Sequence, residues 1–104
     1  MAENKFRILV VDDEEDLCEI LKFNLETEGY AVQTANSAEE ALEMDITAFD
    51  LLLLDIMMDG MSGFAMARKL KETEATRNIP IIFLTARDTE NDKITGFNIG
   101  ADDY

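Results

Sequence analysis

The chain has 104 residues, 47% of them hydrophobic, with 23 acidic against 9 basic side chains, a net charge of −14 and no histidine. That length supports one hydrophobic core and leaves no room for a second. The charge argues against a grip on nucleic acid by this segment, which needs clustered Lys and Arg, and suits divalent cations and basic partner surfaces. Without imidazole there is no Ser-His or Cys-His catalysis. One cysteine, Cys18, excludes a disulfide framework or zinc cluster within the chain and is expected to be a half-buried thiol. The polar start and the lack of any membrane-length apolar run give a reducing, cytoplasmic setting as the default, with no membrane contact.

Arg7-Ile8-Leu9-Val10-Val11 is a short apolar run that ends in Asp12-Asp13. Leu17, Ile20, Leu21, Asn24, Leu25 and Glu28 then recur at helical spacing, with acidic residues in the first turn and Gly29 as the stop. Tyr30 to Thr34 alternates as a short second strand. Ser37-Ala38-Glu39-Glu40 is a capping box, and Ala38, Ala41 and Leu42 form the buried stripe of the helix it opens. Asp50-Leu51-Leu52-Leu53-Leu54 runs into Asp55, followed by a loop-like stretch with Gly60 and Gly63. Phe64, Ala67 and Leu70 mark a third helix, and Thr73 to Asn78 a polar connector. Pro80-Ile81-Ile82-Phe83-Leu84 runs into Thr85. Ile94 and Phe97 suggest a short fourth helix closed by Gly100, and Ala101 to Tyr104 the start of a fifth strand. Continuous apolar runs that alternate with helical patterns describe strands of a parallel sheet buried on both faces.

In open parallel sheets functional groups gather at the carboxyl ends of the strands. Asp12, Asp13, Asp55 and Thr85 all stand there. Adjacent aspartates inside a strand would point to opposite faces, so Asp12 and Asp13 serve one site only because the strand ends there. Three carboxylates in one place repel each other without a cation, and oxygen ligands of this kind suit magnesium. The backbone carbonyl of Met57 is the natural further ligand. A carboxylate beside such a metal can act as a nucleophile toward a phosphoryl group, and the Thr85 hydroxyl can donate to the transferred oxygens. Taken singly, each residue has a local explanation as a helix cap or a turn former. It is their joint placement at strand ends that describes a site.

The blocks Ile8-Leu9-Val10-Val11-Asp12-Asp13-Glu14, Leu52-Leu53-Leu54-Asp55-Ile56-Met57-Met58, Gly60-Met61-Ser62-Gly63, Phe83-Leu84-Thr85-Ala86 and Gly100-Ala101-Asp102-Asp103-Tyr104 resemble, in order and over the whole chain, a bacterial response-regulator receiver domain. The resemblance implies a flavodoxin-like α/β fold, doubly wound with strand order 2-1-3-4-5. It implies phosphorylation of Asp55 by a partner sensor histidine kinase, with Asp12 and Asp13 as the acid pocket, Met57 as the carbonyl ligand, Mg2+ as cofactor, Thr85 as the switch hydroxyl and Tyr104 as the switch aromatic. The chain would then be a signalling switch, not an enzyme in its own right, controlling the output of a transcriptional regulator.

Two features depart from the family pattern. Asp59 stands where many relatives carry proline, which adds charge and backbone freedom beside the site. The family's lysine on the fifth strand falls after Tyr104, so the sequence reads as a C-terminally truncated receiver domain over 1–104, its fifth strand cut short, its fifth helix absent and no output domain present. An uncovered sheet face would favour a homodimer or a domain-swapped neighbour. Two other functions compete. A phosphohydrolase of the haloacid-dehalogenase type resembles Asp-x-Asp after its first strand, whereas here the aspartates are adjacent and the nucleophile sits on the third. A phosphorylation-independent binding module would keep the fold without the signalling.

Overall fold

The computed structural model describes residues 5–58 and 60–84. In chain order these form β1 (Arg7–Val11), α1 (Glu15–Thr27), β2 (Ala31–Ala35), α2 (Ala38–Leu42), a 3-10 turn (Ile46–Ala48), β3 (Leu51–Asp55), α3 (Gly63–Glu72) and β4 (Ile81–Leu84). The strands make one parallel sheet of order β2-β1-β3-β4. This is the expected order over the four described strands. The anticipated fourth helix and fifth strand lie outside the described residues.

The side-chain alternation of β1, β3 and β4 divides the core in two. Leu9, Leu52 and Ile81 lie in register, as do Val11, Leu54 and Phe83, and both rows enter one cluster with Ala38, Ala41, Met66, Ala67 and Leu70. Ile8, Val10 and Leu53 point to the opposite face, where Cys18, Leu21 and Leu25 of α1 cover them. Helices therefore sandwich the sheet, which is why its strands are apolar on both faces. Phe64 of α3 meets Phe83 of β4 edge-to-face at 4.7 Å, an arrangement worth about 0.5–1.5 kcal/mol beyond the area it buries.

Local signals set most boundaries. Gly29 adopts φ +102° just past the end of α1. Ser37 caps α2 by accepting the Glu40 N–H at 2.9 Å, and Glu40 reaches back to the Asn36 N–H at 2.8 Å. Ser62 caps α3 by accepting the Ala65 N–H at 3.1 Å. One expectation needs correction. Cys18 is fully buried, not half-buried, at 2% exposure, because its position on α1 faces β1. The polar connector after α3 is partly internal: Thr76 is buried and its hydroxyl donates to the Leu70 carbonyl at 2.7 Å, which satisfies the end of α3. Among the described residues, no helix is long and apolar enough to cross a membrane.

Candidate metal centre

The chain leaves β1 toward β2 on one side and, after α2, reaches β3 on the other. The carboxyl ends of the adjacent β1 and β3 are thus the point where the strand order reverses, the position at which open α/β sheets place their binding sites. Asp12 is the first residue after β1, and Asp55 is the last residue of β3. Asp12 still pairs through its backbone, its N–H donating to the Ala35 carbonyl at 3.0 Å, while the chain turns immediately afterwards. That turn brings Asp13 to the same side. One carboxylate oxygen from each of Asp12, Asp13 and Asp55 lies within 4.8 Å of the others.

Two of the three acids are buried, Asp12 at 2% and Asp55 at 3% exposure, while Asp13 is exposed. Each buried carboxylate accepts one backbone N–H from the turn that follows it: Asp12 from Glu14 at 2.9 Å, and Asp55 from Met57 at 3.3 Å. Those bonds do not offset the cost of burial. Desolvation, with the charge of Asp12 as the next cause, pushes the Asp55 carboxyl up to about 7. Desolvation also raises Asp12, opposed by the Glu14 N–H and, more weakly, by a hydrogen bond from Asp55. No ion pair among the described residues joins any of the three to a lysine or arginine. Two buried carboxylates whose fold resists their charge, with a third at the rim, form a donor set that fits a hard divalent cation.

The loop beyond Asp55 packs tightly on it. A Cβ built on Gly63, the first residue of α3, would fall on the carbonyl oxygen of Asp55, and it would lie 2.8 Å from that carbonyl carbon and 3.1 Å from the Ile56 Cα. Helix α3 can begin here only because residue 63 has no side chain. Met57 lies in the turn after β3, exposed, with its N–H on Asp55. Thr85, next in sequence after β4, and Tyr104 lie outside the described residues.

Comparison with known proteins decides the family. The model of the response regulator receiver domain matches residues 8–104. The chain belongs to that family. Among curated relatives, this receiver domain is similar to the regulatory protein VanR of Enterococcus faecium, with 46% identity over 99 residues, covering 94% of the chain and 42% of VanR. It therefore spans less than half the length of the curated relatives it matches. A crystal structure of a putative response regulator from Chloroflexus aurantiacus is similar with a TM-score of 0.85 and 35% identity, covering 97% of this chain and 84% of that one. Another, of the response regulator TrrA from Thermotoga maritima in complex with Mg2+-BeF, is similar with a TM-score of 0.77 and 39% identity, covering 94% and 83% of the two chains.

Sequence reasoning located the three aspartates, but it missed their supports. Asn36 donates its side-chain amide to the Asp12 carbonyl at 3.2 Å, and the Cys18 thiol, itself raised to about 11 chiefly by burial, donates to the same oxygen at 3.3 Å. Glu39 accepts the Met61 N–H at 3.2 Å. Asn36 directly precedes a recognisable capping box, a local hint. Nothing in the sequence pairs Glu39 with Met61, 22 positions later.

Proposed function

We propose that this receiver domain is a phosphorylation-controlled switch of a two-component system, in which Asp55 accepts a phosphoryl group in the presence of Mg2+. The observation that carries this reading is the convergence of Asp12, Asp13 and Asp55 within 4.8 Å at the switch point of the sheet, with two of the three buried. Asp12, Asp13 and Asp55 would hold the cation, together with the Met57 carbonyl. Bound there, magnesium would supply positive charge to offset the carboxylates and the incoming phosphoryl oxygens. A carboxylate oxygen of Asp55 would attack phosphorus as the bond from phosphorus to the donor's imidazole nitrogen breaks; with its other ring nitrogen protonated, the donor leaves as neutral histidine. None of the 104 residues is histidine, and the donor imidazole is assigned to a partner sensor kinase. The phosphoryl group would draw the Thr85 hydroxyl, and Tyr104 would turn into the space vacated. That local charge event biases a two-state surface, which passes the signal to a transcriptional output. A cytoplasmic setting accords with this chemistry, and the domain itself is no enzyme beyond promoting its own labelling and hydrolysis.

Incubation with magnesium and acetyl phosphate, followed by intact mass, tests the proposal. One acid-labile phosphoryl group is expected, and chelating the metal should prevent its addition. An unmodified mass under saturating phosphodonor would favour the phosphorylation-independent binding module instead.

Magnesium should also stabilise the unmodified protein. A ligand that binds only the folded state adds about RT ln(1 + [L]/Kd), roughly 1.4 kcal/mol at tenfold over Kd. A melting temperature that rises with millimolar magnesium is the expected result. One indifferent to magnesium in a folded protein would remove the metal from the account.

A further inference from the structure

We propose that the segment Asn36–Glu40, where β2 gives way to α2, is a brace that holds both walls of the metal centre, with Asn36 and Glu39 as its positioning residues. This rests on the functional reading above, because it concerns the same cation. Three carboxylates within 4.8 Å repel each other. Their placement before the metal arrives must therefore come from the backbone that carries them. One wall is the end of β1, the other the turn from Asp55 to Gly63, and this single short segment touches both.

On the first wall, the Asn36 amide donates to the Asp12 carbonyl at 3.2 Å. Asn36 is itself held, since its N–H donates to Glu40 Oε1 at 2.8 Å within the capping box. On the second wall, Glu39 Oε2 accepts the Met61 N–H at 3.2 Å. Gly60, just before it, adopts φ +77°, and a Cβ there would stand 3.0 Å from that same Glu39 oxygen. The loop therefore passes close under Glu39 in a backbone shape that suits glycine. The helix that carries Glu39 is fixed in turn, with Ala38 and Ala41 fully buried against the sheet. Beyond Met61, Gly63 abuts the Asp55 carbonyl. The turn that bears Asp55 and Met57 is thus secured at its far end by Glu39 and Gly63 together. Neither Asn36 nor Glu39 belongs to the converging group of Asp12, Asp13 and Asp55; each holds the chain that presents those ligands.

Groups that orient metal ligands contribute about 10–100-fold to metal affinity. Glu39 is exposed to water, so the lower end applies. In calorimetric magnesium titrations of the 104-residue chain, Glu39→Ala should weaken binding about 10-fold while its circular dichroism stays like that of the wild type. Glu39→Gln loses the charge but keeps an acceptor oxygen for Met61, so it should restore most of the affinity. That rescue separates the hydrogen bond from a general loss of negative charge. Asn36→Ala should weaken binding in the same direction. Wild-type affinity in Glu39→Ala overturns the brace, as does an equal loss in Glu39→Gln and Glu39→Ala. A wild-type protein that takes up no magnesium would overturn the functional reading and the brace with it, whereas magnesium bound equally by all variants overturns the brace alone.

Discussion

Asp55→Asn should abolish phosphoryl transfer and, in the metal-free protein, raise stability at about pH 8 while changing it little near pH 4. The first effect follows because an amide oxygen is no nucleophile toward phosphorus at the site, and of the three converging aspartates Asp55 alone lies within a strand, as the last residue of β3. The second follows from burial. In the folded state the Asp55 carboxyl lies up at about 7 against an ordinary 3.8, first through desolvation and then through Asp12. The folded chain holds this proton more tightly than the unfolded chain does. Stability is therefore lost as pH rises from about 4 through about 7, and the full penalty stands above that window. At about 1.4 kcal/mol per unit the upper bound is on the order of 4 kcal/mol, which water at the open rim reduces. Even about 1 kcal/mol shifts the melting temperature by roughly 4–8 °C in a domain of this size. Asparagine fills the same space without charge. With magnesium present the comparison should reverse, because the wild type gains binding energy and the variant has lost a ligand. Paired melting curves across pH, with chelator and with magnesium, test both signs. Equal melting temperatures at high pH without metal would show that the buried charge is not resisted, and a labelled Asp55→Asn protein would place the phosphoacceptor elsewhere.

Gly63→Ala should cost about 1–3 kcal/mol or more and slow labelling at Asp55, although alanine is otherwise the better helix former. The added methyl would collide with the backbone carbonyl of Asp55, not with the tip of a flexible side chain. Backbone of β3, paired on both sides with β1 and β4, cannot swing aside, so the start of α3 must move. Its tether, the Gly63 N–H to the Ile56 carbonyl at 3.0 Å, would stretch with it. Against a total stability of about 5–15 kcal/mol this is a large fraction. Denaturant melts combined with acetyl phosphate labelling would measure both effects. A Gly63→Ala protein with native stability and native labelling rate would mean that this close approach relaxes freely.

What the sequence determined by itself was whatever depends on near neighbours along the chain. Val10-Val11 before Asp12-Asp13 and Leu53-Leu54 before Asp55 marked strand ends, because a buried parallel strand is apolar on both faces and its first polar residue marks the exit. Ser37 with Glu40 marked a helix start, because a cap bonds amides within one turn. The parallel sheet followed from the alternation of these elements, and the expectation of a cation site from the like charge of three aspartates. Tertiary structure decided what depends on residues distant in the chain. Asp12 and Asp55 became resistant to ionisation because packing removed their water, and Cys18 and Thr76 went inside because the sheet and α3 covered them. Gly63 looked like any loop glycine until α3 was laid against the end of β3. Glu39 and Met61 carry no mark of their partnership, since a side chain reaching a backbone amide 22 residues away is set by how α2 and the β3–α3 turn pack, not by the identity of either residue.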